Sequence, residues 1–407
     1  MPHSLLPAHV RTLIAGLALS LGAAANAQCQ WTLASPGRPT VPGDPPIRQN
    51  HMGVFDSFRS KIIVFGGFLG GFGSYGDTWS WNGTSWSLIS ETGPIARSVH
   101  AMAYDAARDR IVLFGGNAGG ALGDTWEWDG ESWTEVFPAT SPPARFNHAM
   151  AYDSVRNVVV LTGGFGAVRY DDTWEFNGTT WTQRTGGFTN FTGRNGHAME
   201  FDPSRNKMVI FGGFITGNIR VGDTWEMGPS GWTQVATTGP SGRQYTGGLT
   251  YNPDTQLIYL FGGQIGPASG DRMNDLWSWN GTAWSLVHPG TPAPTPVPST
   301  EPNRRDQHMT IYDRARRQLV VFGGFQGTGL GGVAGDTWTF TCPVSSCYPN
   351  CDQSTGSPLL TANDFQCFLN KFAAGDTYAN CDGSTGNPLL TANDFQCFLN
   401  KFAAGCS

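Results

Sequence analysis

Arg97-Ser98-Val99-His100-Ala101-Met102-Ala103-Tyr104-Asp105, followed by Ile111-Val112-Leu113-Phe114-Gly115-Gly116, Asp124-Thr125-Trp126-Glu127-Trp128, Asp129-Gly130 and Trp133-Thr134, is the stretch whose reading decides the fold. The same pattern occurs six times. The Gly pairs begin at Gly66, Gly115, Gly163, Gly212, Gly262 and Gly323. A period of roughly 50 residues belongs to propellers and solenoids. Within each copy the apolar runs are short and rich in β-branched residues, which predicts four strands per copy rather than helices. Asn82-Gly83, Asp129-Gly130, Asn177-Gly178 and Asn280-Gly281 stand between two Trp- or Phe-bearing runs. They read as two-residue hairpin turns, with both residues at positive φ, between the third and fourth strands.

The sixth copy reaches Asp336-Thr337-Trp338-Thr339-Phe340 and stops before a fourth strand. Gln30-Trp31-Thr32-Leu33 matches Ser85-Trp86-Ser87-Leu88 and supplies it, so the last blade takes strands from both ends of the domain and no sheet edge is left open. That alignment places Cys29 and Cys342 as neighbours and predicts a disulfide between them, closing a loop of about 300 residues.

These residues resemble the Kelch family, with its Gly doublet after the second strand and spaced aromatics on the third and fourth. The resemblance covers about residues 28–342 and implies an all-β, six-bladed propeller. Propellers of this kind serve as enzymes, adaptors and carbohydrate binders, so the resemblance specifies architecture more than activity.

Composition sets the outer limits. Of 407 residues, 55 are Gly and only 14 % are charged, which argues for many turns and against disorder. The 25 basic and 31 acidic side chains form no long run of either sign, so no nucleic-acid footprint is visible. Arg11 precedes an apolar stretch from Leu13 to Ala25, and Ala25-Asn26-Ala27 offers small residues for cleavage. Residues 1–27 therefore read as an export signal too short to span a bilayer, giving a secreted or cell-surface protein with no transmembrane segment. All eight Cys lie beyond it, an even number suited to disulfides.

From residue 343 to 407 the pattern changes to two nearly identical units, Cys351 to Gly375 and Cys381 to Gly405. Thr361 with Asp364 reads as a helix-capping pair, and Phe365, Phe368, Leu369 and Phe372 mark one amphipathic face. Loops rich in oxygen ligands precede each helix. The pair resembles a dockerin domain, a duplicated half EF-hand, and the combination with a propeller resembles secreted bacterial proteins. That resemblance implies calcium as cofactor, with Asp352 and Asp364 in the first loop and Asp382 and Asp394 in the second, and a cohesin-like or surface docking partner. The loops depart from the 12-residue pattern: Tyr378 stands where one register wants the first Asp, and Gln353 faces Gly383 between the units. A pseudo-two-fold relating the units pairs Cys347 with Cys406, Cys351 with Cys367 and Cys381 with Cys397.

Arg48, Arg97, Arg145, Arg194, Arg243 and Arg305 open the first strand of each copy. In Kelch-like domains the loops there line one mouth of the central channel, and an arginine-rich mouth favours anionic ligands. The alternative is that each Arg pairs with an Asp of its own or the next blade. His51, His100, His148, His197 and His308 follow three residues later; one per blade, they sit too far apart to share a metal and read as structural. Residues that break the repeat include Glu200, Thr246 and Asp171. The reading is an exported, non-catalytic module that recognises an extracellular protein or glycan through propeller loops, the C-terminal domain acting as a tag. The alternative is a carbohydrate-active enzyme, glycosidase or sugar oxidase, at the channel mouth. No carboxylate pair can be nominated for a glycosidase, and the absence of Cys between residues 30 and 341 disfavours galactose-oxidase-type chemistry.

Overall fold

A computed structural model describes residues 29–37, 41, 43–185, 192–268, 270–293, 295–327, 332–342, 362–373 and 398. Six four-stranded antiparallel sheets stand around one axis. In the first blade, Met52–Asp56, Lys61–Phe65, Thr78–Trp81 and Trp86–Ser90 run in order from the axis outward. The innermost strands of the others are Ala101–Asp105, Ala149–Asp153, Ala198–Asp202, Leu249–Asn252 and Met309–Asp313. The sixth sheet closes as the alignment requires: Gln30–Ser35 pairs antiparallel with Val333–Thr341, Trp31 opposite Phe340. Cys29 and Cys342 are disulfide-bonded beside that ladder.

Apolar side chains fill the spaces between neighbouring blades. Val64, Trp79 and Trp86 of the first blade pack on Val320 and Phe322 of the sixth, and each later interface repeats the scheme. A fourth-strand indole N–H crosses each of five interfaces to a third-strand Thr of the preceding blade, as in Trp133 to Thr78 (2.9 Å) and Trp181 to Thr125 (3.0 Å). At the remaining interface the fifth blade carries Leu276 in place of Thr, and the Trp31 Nε1 is left without an acceptor among the described residues.

The Asn-Gly turns differ from the expectation. Trp81 pairs with Trp86, so the hairpin loop has four residues, and among them only Gly83 has positive φ (98°). Asn82 stays on the ordinary side because its Oδ1 accepts from the Thr84 and Ser85 N–H groups, both at 2.9 Å. The side chain does what a left-handed backbone would otherwise do.

Beyond the propeller, Ala362–Ala373 forms the expected helix. Phe368 stacks on Phe398 with ring centroids 3.9 Å apart, Asp364 is buried in the first turn, and Cys367 is disulfide-bonded. Asp352, Asp382, Asp394, Cys347, Cys351, Cys381, Cys397 and Cys406 lie outside the described residues. No helix among the described residues is long and apolar enough to cross a membrane.

Candidate functional site: the loop-bearing mouth of the propeller

Up-and-down connectivity gives the ring two different faces. One carries the Gly pairs, the loops between second and third strands, and the connections between blades. The other carries the first turn of each blade and the hairpins, and the disulfide stands in a hairpin's place there.

The six repeated arginines are built into the first of these faces, each paired with an Asp of its own blade, the alternative to the ligand-binding expectation. All six are at most 1 % exposed. Arg97 donates from Nη1 and Nη2 to both oxygens of Asp124 (2.6 and 2.7 Å), from Nη1 to the Gly115 carbonyl (2.9 Å), and from Nε to the Ile95 carbonyl (3.0 Å). Arg48 with Asp77, Arg145 with Asp172, Arg194 with Asp223, Arg243 with Asp275 and Arg305 with Asp336 repeat the pairing within their own blades. Burial alone would raise the Asp77, Asp124, Asp223 and Asp336 carboxyls; the arginine partners and an indole N–H two residues on outweigh it and hold them below the usual carboxylate range. The charge is neutralised where it stands.

The same clamp explains the Gly pair. Gly115 takes φ 60° and gives its carbonyl to Arg97, while Gly116, at φ 106°, donates its N–H to the Arg145 carbonyl of the next blade (2.9 Å). A Cβ on Gly115 would lie 2.6 Å from the Arg145 carbonyl oxygen and 3.3 Å from the His148 ring. The histidines seal these junctions. Burial, followed by the nearby arginine charge, pushes His51, His100 and His197 down to about 3, and His148 and His308 well below the ordinary value. Thr246 takes the histidine place in the fifth blade, its methyl beside Gly263 where others set a His Cβ.

The residue immediately before each His, or before Thr246 in the fifth blade, forms a collar around the axis. Asn50, Val99, Asn147, Gly196, Tyr245 and Gln307 all have positive φ, and each donates its N–H to the carbonyl of the preceding member, 2.8 to 3.0 Å, with Asn50 donating to Gln307 to close the circle. Outside the collar lie Gln49, Ser98, Phe146, Asn195, Gln244 and Asp306, bridged in turn to Phe68, Asn117, Phe165, Phe214, Gln264 and Phe325. These rings vary from blade to blade although the frame beneath them does not.

Cationic groups without a carboxylate are found on this variable layer. Arg169 donates from Nε to the Asn195 Oδ1 (2.9 Å) and lies 4.9 Å from the Phe214 ring centre; Arg220 lies 5.3 Å from the same ring. The Arg220 Nε and the Gln244 Oε1 are buried without a partner among the described residues. Arg272, the third basic loop residue, is committed to Asp306 (3.0 Å). Burial, and then the Asp306 charge, raises the Tyr245 hydroxyl beside them, so it is a neutral donor and acceptor, receiving the Asn147 Nδ2 hydrogen bond at 3.3 Å. Sequence reading had passed over Arg169 and Arg220. The available signal was that the loops between second and third strands carry one basic residue each in three successive blades and none elsewhere.

Of the residues that break the repeat, Asp171 is exposed, whereas Glu200 lines the axial channel. No group of three or more His, Cys, Asp or Glu able to hold a metal occurs among the described residues.

Fold and mouth together define a propeller scaffold that displays variable loops on a rigid repeated frame. The chain belongs to the Kelch-repeat family: the model of the KLHDC2/KLHL20/DRC7 Kelch-repeats domain matches residues 26–186 and 178–359. A comparison with curated proteins returns no match.

Proposed function

We propose that this protein is an exported, non-catalytic recognition module that binds a partner protein through the loop-bearing mouth, on the side of blades three to five. The carrying observation is the pair Arg169 and Arg220, held against Phe214 and free of any carboxylate among the described residues, beside a buried unpartnered Gln244 Oε1. Guanidiniums braced on an aromatic ring favour acidic or carbonyl-rich segments. A Kelch propeller suggests a protein-binding module, and variable loops on a rigid scaffold are where binding resides. The described propeller ends at Cys342 on the opposite face. The C-terminal domain is read as a calcium-loaded docking tag that follows the propeller in the chain. An extracellular glycan is the second ligand class that aromatic and amide groups at such a mouth would suit.

The test is to screen the secreted chain on peptide and glycan arrays, beside Arg169→Ala/Arg220→Ala. Loss of the hits in the double variant supports the reading. Hits that survive it would place recognition elsewhere, and turnover of any hit would remove the non-catalytic reading.

A further inference from the structure

The innermost strands surround a channel of about 230 Å³, distinct from the mouth. It runs from the first turns of the blades, at Ser57, Ala106, Ser154, Pro203 and Arg314, inward to His148 and His197. Its walls are polar and apolar in about equal parts, with Met102, Met150, Met199, Leu249 and Ile311 supplying an apolar stripe. One carboxylate stands among these lining residues, Glu200. Val54, Ala103, Ala151, Thr250 and Ile311 occupy the equivalent place in the other blades.

Glu200 accepts the Phe201 N–H (2.8 Å) and the Tyr251 N–H of the next blade. Thr250 performs the second of these tasks one blade on, its hydroxyl accepting the Tyr312 N–H at 2.8 Å. A neutral group therefore suffices for the edge amide, and the negative charge of Glu200 is surplus to the fold. A half-buried charge without a counter-ion is costly, and no ion pair to Glu200 is present among the described residues. Burial pushes its carboxyl up to about 7; Arg314, exposed at the channel rim, and the two amides act against that shift, while Asp202 adds to it.

We propose that the channel binds a linear aliphatic ammonium ion, its methylene stem along the Met, Leu and Ile walls and its ammonium group donating to Glu200. A free diamine and a lysine side chain of a partner share this chemistry. The site lies off the mouth and does not depend on Arg169 or Arg220.

The experiment is titration calorimetry of the full chain with 1,5-diaminopentane, Nα-acetyl-lysine N-methylamide and the neutral isostere 1,5-pentanediol. At least one amine binds saturably and the diol at least tenfold more weakly. Binding of the lysine amide points to a partner side chain; binding of the diamine alone points to a free amine. Because the cation selects the ionised carboxylate, affinity rises about tenfold between pH 6 and pH 8. Glu200→Gln lowers affinity at least tenfold, and Glu200→Thr, which keeps the edge-amide acceptor of the fifth blade, does the same with no loss of thermal stability; Arg314→Ala tightens binding. No saturable heat with either amine, equal binding of the diol, or unchanged affinity in the folded Glu200→Thr variant overturns the proposal.

Discussion

Acidification from pH 7.5 to pH 5 is the perturbation to which the buried histidines make this propeller's stability sensitive. An unfolded histidine titrates near 6.5, whereas burial holds His51, His100 and His197 near 3 in the folded ring. A depressed histidine is neutral when folded, so the unfolded state binds more protons below 6.5. Its stabilising contribution is complete above that value and is lost progressively as the pH falls toward 3. At pH 5 each such histidine costs about 2 kcal/mol, and these three together about 6 kcal/mol. Glu200 works the other way: its folded value is raised to about 7, so protonation on acidification returns about 2 kcal/mol. The arginine-paired aspartates are held below the ordinary carboxylate range and stay ionised throughout this window. The net loss is about 4 kcal/mol, to which His148 and His308 add in the same direction. That is a large share of the roughly 5–15 kcal/mol by which a domain is stable. Equilibrium unfolding in urea at a series of pH values measures it, and His100→Gln lowers the limiting slope by about one proton, or ~1.4 kcal/mol per pH unit. Stability at pH 5 equal to that at pH 7.5, or a slope untouched by the His100 substitution, would refute the reasoning.

Asp124→Asn leaves the fully buried Arg97 guanidinium uncompensated, and thermal unfolding should show a loss of about 3–5 kcal/mol. Thr125→Val removes the acceptor of the Trp181 indole N–H without changing its shape; the expected cost is about 1–3 kcal/mol by urea unfolding. Cys29→Ser with Cys342→Ser removes the covalent closure of the sixth blade. It lowers stability by about 2–5 kcal/mol, with hydrogen exchange rising first in Gln30–Ser35. The proposed calcium loading predicts that calcium at 100 times its dissociation constant stabilises the C-terminal domain of the full chain by about 2.7 kcal/mol for each loop it occupies. Differential scanning calorimetry with and without chelator reads this, and Asp382→Ala with Asp394→Ala should abolish the part due to the second loop.

The six blades, their four strands, the borrowed outer strand and the pairing of Cys29 with Cys342 were all legible in the linear chain, because a repeat writes each local contact six times. Trp31 could be set against Phe340 only because Trp86 had already been set against Trp81. The arginines show where that legibility ends. Arg97 and Asp124 both recur once per blade, and periodicity says equally well that they pair or that they form a charged ring. Tertiary packing decided it by folding the second and third strands back so that the Asp lies against the guanidinium and the Gly115 carbonyl beside it. Glu200 was visible as a departure from the repeat, but not as a neighbour of a channel, and Arg220 was passed over because nothing in the linear order places it at a mouth. Part of what surrounds them comes from the next blade: Tyr251 beside Glu200, and Gln264 beside Arg220, whose ring neighbour Phe214 is in its own blade. Sequence order determines which side chains a strand carries. Which of them keep an uncompensated charge is settled only when the ring closes and every repeated polar group has taken its partner.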